Sequence, residues 1–163
     1  MNTQVHNPVT TWDPMAPLDP GVMLLEASAG TGKTYNLVNW VLRFVVQYRI
    51  PVVQQVVVTF TRAATAELKD RIRSRLQQAM TALGNPSSID PSDIVMERLV
   101  AAAQTSREHQ EDVVQRIAAA QESFDACLIS TIHGFCQRML QHYAFEAQTD
   151  FDLTLMGDEP ELA

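Results

Sequence analysis

Within Ala27-Ser28-Ala29-Gly30-Thr31-Gly32-Lys33-Thr34 the chain sets two glycines one residue apart, then a lysine and a hydroxyl residue. That order suits the binding of a polyphosphate. Glycines let the backbone turn tightly so that N–H groups converge on an anion, and a helix starting nearby points the positive end of its dipole at the same place. The Lys33 ammonium can reach the outer phosphates of a nucleoside triphosphate, and the Thr34 hydroxyl can hold Mg2+. Residues Ala27, Ser28, Ala29, Gly30, Thr31, Gly32, Lys33 and Thr34 are therefore candidate ATP or GTP ligands, with Lys33 and Thr34 the candidates for chemistry. The usual pattern opens with glycine where this chain has Ala27, a change that leaves the turn intact if φ stays negative there. The alternative is a flexible strand-to-helix loop whose lysine is solvated.

Positioning these groups needs a strand before the turn and a helix after it. The apolar run Val22-Met23-Leu24-Leu25 predicts the strand. Leu37, Val38, Val41, Leu42 and Val45 recur at helical spacing over Tyr35 to Val46, and that face is expected to lie on a sheet. After Pro51 a β-branched run ending Val56-Val57-Val58-Thr59-Phe60 reads as a buried parallel strand. Thr61 is placed to cap a helix carrying Leu68, Ile72, Leu76, Ala79, Met80 and Leu83 on one side. Gly84 to Asp93 reads as a loop, 94–123 as one or two helices, Ala126 to Ser130 as a third strand, and Thr131 to Phe145 as a last helix. Alternation of this kind predicts an α/β fold, a three-layer sandwich on a mostly parallel sheet. Residues 1–20, with Pro8, Pro14, Pro17 and Pro20, read as an irregular arm. The motor-like part occupies 21–163, with a helical insertion at about 84–125.

Length and composition fit one soluble domain, and no apolar run is long enough to span a bilayer. Residues 1–20 lack the basic start and apolar centre of a secretory signal, so a cytoplasmic location without membrane partners is expected. Cys127 and Cys136 form neither a disulfide framework nor a zinc site, even with His133 between them; Cys136 shares a face with Ile132, Phe135, Met139 and Leu140 and is expected in the core. The net charge of −7 argues against a nucleic-acid partner only superficially, because six acids fall in 146–163, where there is no lysine or arginine. Basic residues gather instead at Arg62, Lys69, Arg71, Arg73 and Arg75.

In open parallel sheets ligands bind beyond the carboxyl ends of strands. Two further ends, Thr59–Arg62 and Ser130–Gly134, offer hydroxyls, an aromatic ring, a histidine and an arginine at helix starts. These groups could contact a second anionic ligand. Equally, Thr61, Ser130 and Thr131 could be ordinary caps and Phe60 a core residue.

Glu26 to Thr34, Val58-Thr59-Phe60-Thr61-Arg62-Ala63-Ala64-Thr65-Ala66-Glu67-Leu68 and Ser130-Thr131-Ile132-His133-Gly134-Phe135-Cys136-Gln137-Arg138-Met139-Leu140 resemble, in order and position, three segments of superfamily 1 DNA helicases of the UvrD/Rep type. Within that group the wording is most similar to RecB-like beta subunits of exodeoxyribonuclease V, over about residues 21–156. The resemblance implies a P-loop NTPase (RecA-like) fold, present as a partial motor domain. It implies ATP and Mg2+ as cofactors, phosphate contact by Lys33 and a metal-side hydroxyl at Thr34. Phe60, Thr61, Arg62, Thr131 and His133 would touch single-stranded DNA. The implied whole is an ATP-dependent DNA helicase and exonuclease in recombinational repair of double-strand breaks, acting on duplex ends with the other subunits of a RecBCD-like complex.

The chain also departs from that pattern. It has Leu18-Asp19-Pro20-Gly21 where related helicases place an adenine-reading glutamine. Asp158-Glu159 follows no buried strand, and the later acidic pair and arginines that act on the transferring phosphoryl group have no counterpart. The expectation is an N-terminal portion of a larger helicase-nuclease, by itself a weak nucleotide binder with negligible hydrolysis. The rival is a stand-alone nucleotide-binding or interaction module that never hydrolyses ATP. A small P-loop kinase fits less well, since no lid arginines are evident.

Overall fold

The computed structural model describes residues 12–26, 30 and 32–143. Helix α1 spans Lys33–Val46 and is closed by Arg49 at φ 58 and then Pro51. Strand β1, Val56–Thr59, runs into α2, Arg62–Gly84, which stops at Asn85-Pro86. Two helices follow, α3 at Ile94–Ala103 and α4 at Arg107–Glu122, then strand β2 at Leu128–Thr131 and α5 at Ile132–His142. Short 3-10 turns at Val52–Gln54, Pro86–Ser88 and Phe124–Ala126 join them.

The strands β1 and β2 pair in parallel, Val56 with Leu128 through Thr59 with Thr131. Their connection is the three-helix stretch α2–α4, as a parallel crossover requires. The order of helices and strands agrees with the sequence reading, but the sheet is smaller. Among the described residues it holds two strands, so the structure supports a partial P-loop type of α/β fold and not the complete three-layer sandwich.

The expected strand at Val22–Leu25 does not form. Those residues lie outside the sheet, with Val22 and Leu24 exposed. An interior parallel strand is stabilised by burial on both faces. This ladder buries only its Val57 and Ile129 side and leaves Val56 and Val58 exposed. A third strand would gain half the usual cover.

The core is mainly helical. Leu42 and Val45 of α1 meet Ile72, Leu76 and Leu83 of α2, Val95 and Leu99 of α3, and Val113 and Ile117 of α4. The apolar face of α1 thus packs on α2 and α4 rather than on the sheet, which corrects the sequence expectation. Periodicity identifies a face to be buried, not what buries it. Cys136 is exposed and α5 has no buried residue, against the expectation of a core cysteine. That helix rests on two four-residue strands, too little surface to cover its apolar side.

One polar cluster ties α1, α2 and α3 together. Arg75 Nε donates to Asn39 Oδ1 at 2.8 Å, and its two terminal nitrogens grip both oxygens of Asp93, one at 2.8 Å. Asp93 Oδ1 also accepts from Met96 N–H at 3.1 Å, capping α3, and from the Tyr35 hydroxyl at 3.2 Å. Arg75 and Asp93 side chains are 8% and 17% exposed. Burial pushes the Asp93 carboxyl up, but the Arg75 and Met96 hydrogen bonds and the Arg75 charge outweigh it and hold the group below its ordinary value.

Removing one partner of such a pair strands the other, so Arg75→Ala should lower unfolding free energy by about 3 kcal/mol in urea denaturation. A carboxyl held low in the native state stabilises the fold above its unfolded pKa, about 4, and loses that contribution as pH falls through the lower native value. Asp93→Asn should therefore flatten the fall of Tm with acidification below about pH 4.

Candidate functional site

The chain turns into α1 through Gly30 at φ 78 and Gly32 at φ 92, backbone that a side chain tolerates poorly. A Cβ on Gly30 would meet nothing within 4 Å, so the need there is conformational rather than spatial. Ala27, Ser28, Ala29 and Thr31 lie outside the described residues. Gly32 is the N-cap of α1; among the described residues no side chain caps that end, and no acidic residue lies in the first turn. Lys33 and Thr34 open the helix, Lys33 exposed and Thr34 half-buried.

The other four α-helices differ. Thr61 accepts from Ala64 N–H, Asp93 from Met96, Ser106 from His109 and Thr131 from Gly134. The first turn of α1 has no such side-chain acceptor among the described residues, and the positive end of the helix dipole lies there. Glycine backbone, a lysine and a hydroxyl are the residue types that could hold a polyphosphate at this end. Among the described residues no three His, Cys, Asp or Glu side chains gather as metal ligands. Mg2+ would be held by Thr34 together with phosphate oxygens.

The register Thr59–Thr131 sets the carboxyl ends of β1 and β2 side by side, bringing the second and third sequence segments to one edge. Phe60 is 87% exposed, so it is not a core residue. Thr61, Arg62 and His133 are exposed and Thr131 half-buried. Thr61 and Thr131 do act as caps, both bonds 3.1 Å, yet a hydroxyl that accepts from backbone can still donate its own proton. Capping and ligand contact are compatible. Ser130 is no cap; its hydroxyl donates to the Thr131 carbonyl at 3.2 Å. Gly134 lets its N–H approach the cap, since a Cβ there would lie 3.3 Å from Thr131 Oγ1.

Of the basic group on α2, Arg71 pairs with Glu67, Arg73 with Asp125 and Arg75 with Asp93. Arg62, at the exit of β1, is the member of the group beside Phe60. Sequence reasoning missed Tyr35, Asn36 and Trp12. Trp12 Nε1 donates to Asn36 Oδ1 at 2.8 Å, and Asn36 Nδ2 donates to the Gly32 carbonyl at 3.0 Å. The available signal was the polar stripe Asn36, Asn39 and Arg43 within an otherwise apolar helix.

Comparison with known proteins gives one family. The UvrD/REP helicase N-terminal domain matches residues 9–160. The chain is 34% identical over 163 residues to the RecBCD enzyme subunit RecB of Haemophilus influenzae, covering 96% of this chain and 13% of that protein. It is 36% identical over 157 residues to the RecB protein of Escherichia coli, covering 91% and 13%. The RecB protein of Mycolicibacterium smegmatis is 38% identical over 133 residues, covering 82% and 12%. The chain therefore spans about an eighth of the RecB proteins it matches. Among the described residues no helix is long and apolar enough to cross a membrane.

The two caps and the exposed ring separate in denaturation experiments. Thr61→Ala and Thr131→Ala should each cost about 1 kcal/mol of stability, with serine restoring most of it. Phe60→Ala should stay within about 0.5 kcal/mol of the parent.

Proposed function

Since the chain belongs to the UvrD/REP helicase N-terminal domain family and is RecB-like, we propose that it is the ATP-binding N-terminal part of an ATP-dependent DNA helicase and nuclease of recombinational double-strand-break repair. The observation that carries this reading is the passage of two left-handed glycines, Gly30 and Gly32, directly into Lys33 and Thr34 at the start of α1, with no acidic residue in its first turn.

There the Lys33 ammonium neutralises outer phosphate charge, amides of the loop donate to the remaining oxygens, and the Thr34 hydroxyl faces the metal. Bound ATP with Mg2+ supplies the energy of phosphoryl transfer; this chain's residues bind and orient it. Water activation and stabilisation of the transferring charge need a carboxylate pair and arginines that have no counterpart in this sequence. Nucleotide binding, with little turnover, is the activity expected of the chain itself.

At the β1 and β2 ends the Phe60 ring offers a face for a base, while Thr61 and Thr131 hydroxyls, Arg62 and His133 suit a backbone phosphate. Single-stranded DNA is the ligand of that edge. Duplex ends and the other subunits of a RecBCD-like complex are the partners of the larger assembly, and the cytoplasm its location.

Lys33→Ala should abolish ATP binding measured by titration calorimetry; unchanged affinity removes the phosphate-loop assignment. Phe60→Ala should weaken binding of a labelled oligothymidylate about tenfold, given ~1–3 kcal/mol per stacked base. Thr131→Ala with His133→Ala should also weaken it while leaving ATP affinity alone. If oligonucleotide affinity is indifferent to all three, the edge does not bind DNA.

A further inference from the structure

We infer that Thr59 and Thr65 are positioning residues for the Phe60 ring, holding the connection between β1 and α2 in the shape that presents that ring to a base; this rests on the reading of the β1 and β2 ends as a single-stranded DNA edge. Their hydroxyls meet at 2.6 Å, and each lies within hydrogen-bond distance of the Thr61 carbonyl, Thr59 Oγ1 at 3.1 Å and Thr65 Oγ1 at 3.0 Å. The Thr65 backbone N–H donates to the same carbonyl at 3.0 Å. Two hydroxyl protons serve the three oxygens: one hydroxyl donates to the carbonyl and the other donates to that hydroxyl. Thr59 is the last residue of β1 and Thr65 lies in the first turn of α2. The cluster therefore closes a short loop around Phe60 and Thr61, the residues that join the two elements.

Phe60 is 87% exposed, so packing gives its ring no fixed place and the backbone must supply one. The Thr61 carbonyl is held from the end of the strand and from the helix, which leaves the planar peptide after Thr61 one orientation. Thr61 Oγ1 is itself committed to Ala64 N–H at 3.1 Å. The torsions left to Phe60 are thus bounded at both ends. The neighbouring strand has no such connection to fix, since β2 ends at Thr131 and α5 begins at Ile132. Local preference does not account for the hydroxyls. Valine occupies the three preceding strand positions and would serve as well at 59, while threonine is a poorer helix former than alanine at 65. A helical hydroxyl bonding the carbonyl four residues back is ordinary; here a second hydroxyl, from outside the helix, reaches the same oxygen. A ring held in place before its ligand arrives loses less freedom on binding, and affinity gains accordingly.

The test titrates a labelled oligothymidylate into the whole chain as the parent, Thr59→Val, Thr65→Val, Thr65→Ser, Phe60→Ala, and Phe60→Ala with Thr65→Val. Each protein is also melted and titrated with ATP. Valine keeps the branched shape and removes the hydroxyl. Either valine variant should weaken the oligonucleotide ~3-fold, the scale of ordering one side chain, and leave ATP affinity alone. Serine at 65 keeps the hydroxyl and should bind as the parent does. In the Phe60→Ala background Thr65→Val should cost nothing further, because no ring remains to be placed. A threonine that only stabilises the fold would lower Tm and leave oligonucleotide affinity unchanged. The two positions lie in different elements, so if one valine variant fails to fold the other decides. Parent-like affinity in the valine variants overturns the inference, as does an equal loss with and without the ring. A parent that binds no oligonucleotide, or binds it no better than Phe60→Ala, removes the DNA edge itself.

Discussion

Asn36, Asn39 and Arg43 put three polar side chains on one buried line of α1, and an interior of low dielectric makes each of them costly unless it is bonded. Each partner is a different part of the molecule. Asn36 meets Trp12 and the carbonyl of Gly32, Asn39 meets Arg75 of α2, and Arg43 holds the carbonyls of residues 14–16. Apolar packing would hold α1 in the core but would let it slide or turn, since many arrangements bury similar area. Directional bonds fix its rotation and its height. The N-terminus of α1 thus has one place relative to the arm, to α2 and, through Asp93 and Tyr35, to α3.

The start of that helix is the point where the fold is least self-sufficient. Four helices use a threonine, serine or aspartate to accept their first amide groups, and α1 uses none. The cap residues elsewhere are of the types that sequence alone assigns to caps, so the exception stands out against a regular background. At the carboxyl ends of β1 and β2, the parallel register delivers Phe60–Arg62 and Thr131–His133 together, although some seventy residues of sequence separate them.

Much of this could be read from the chain. The 3–4 spacing of Leu68, Ile72, Leu76, Ala79 and Leu83 marked α2, because local periodicity records which face is buried; the run of valines before Thr59 marked β1, although such a run predicts burial on both faces and only Val57 of the three is buried. Thr61 and Thr131 were recognisable as caps for the same local reason, and the glycine pattern marked the left-handed turns that precede α1. What failed depended on tertiary partners. Val22–Leu25 has the composition of an interior strand but finds no second face to bury, and Cys136 sits on an apolar helix side that the described residues cover only in part. Asn36 and Trp12 escaped notice because their meaning lies in a bond between segments twenty-four residues apart.

With only two strands in the described ladder, β1 and β2 are each an outer rim. Among the described residues each rim carries backbone donors and acceptors with no strand neighbour, and on β1 they lie beside the exposed Val56 and Val58. Sheets that end safely blunt such rims with charge, proline or a bulge, and neither strand contains a charged residue or a proline. The ladder is thus primed to grow sideways. At high concentration that growth would recruit like chains along the rims of the ladder.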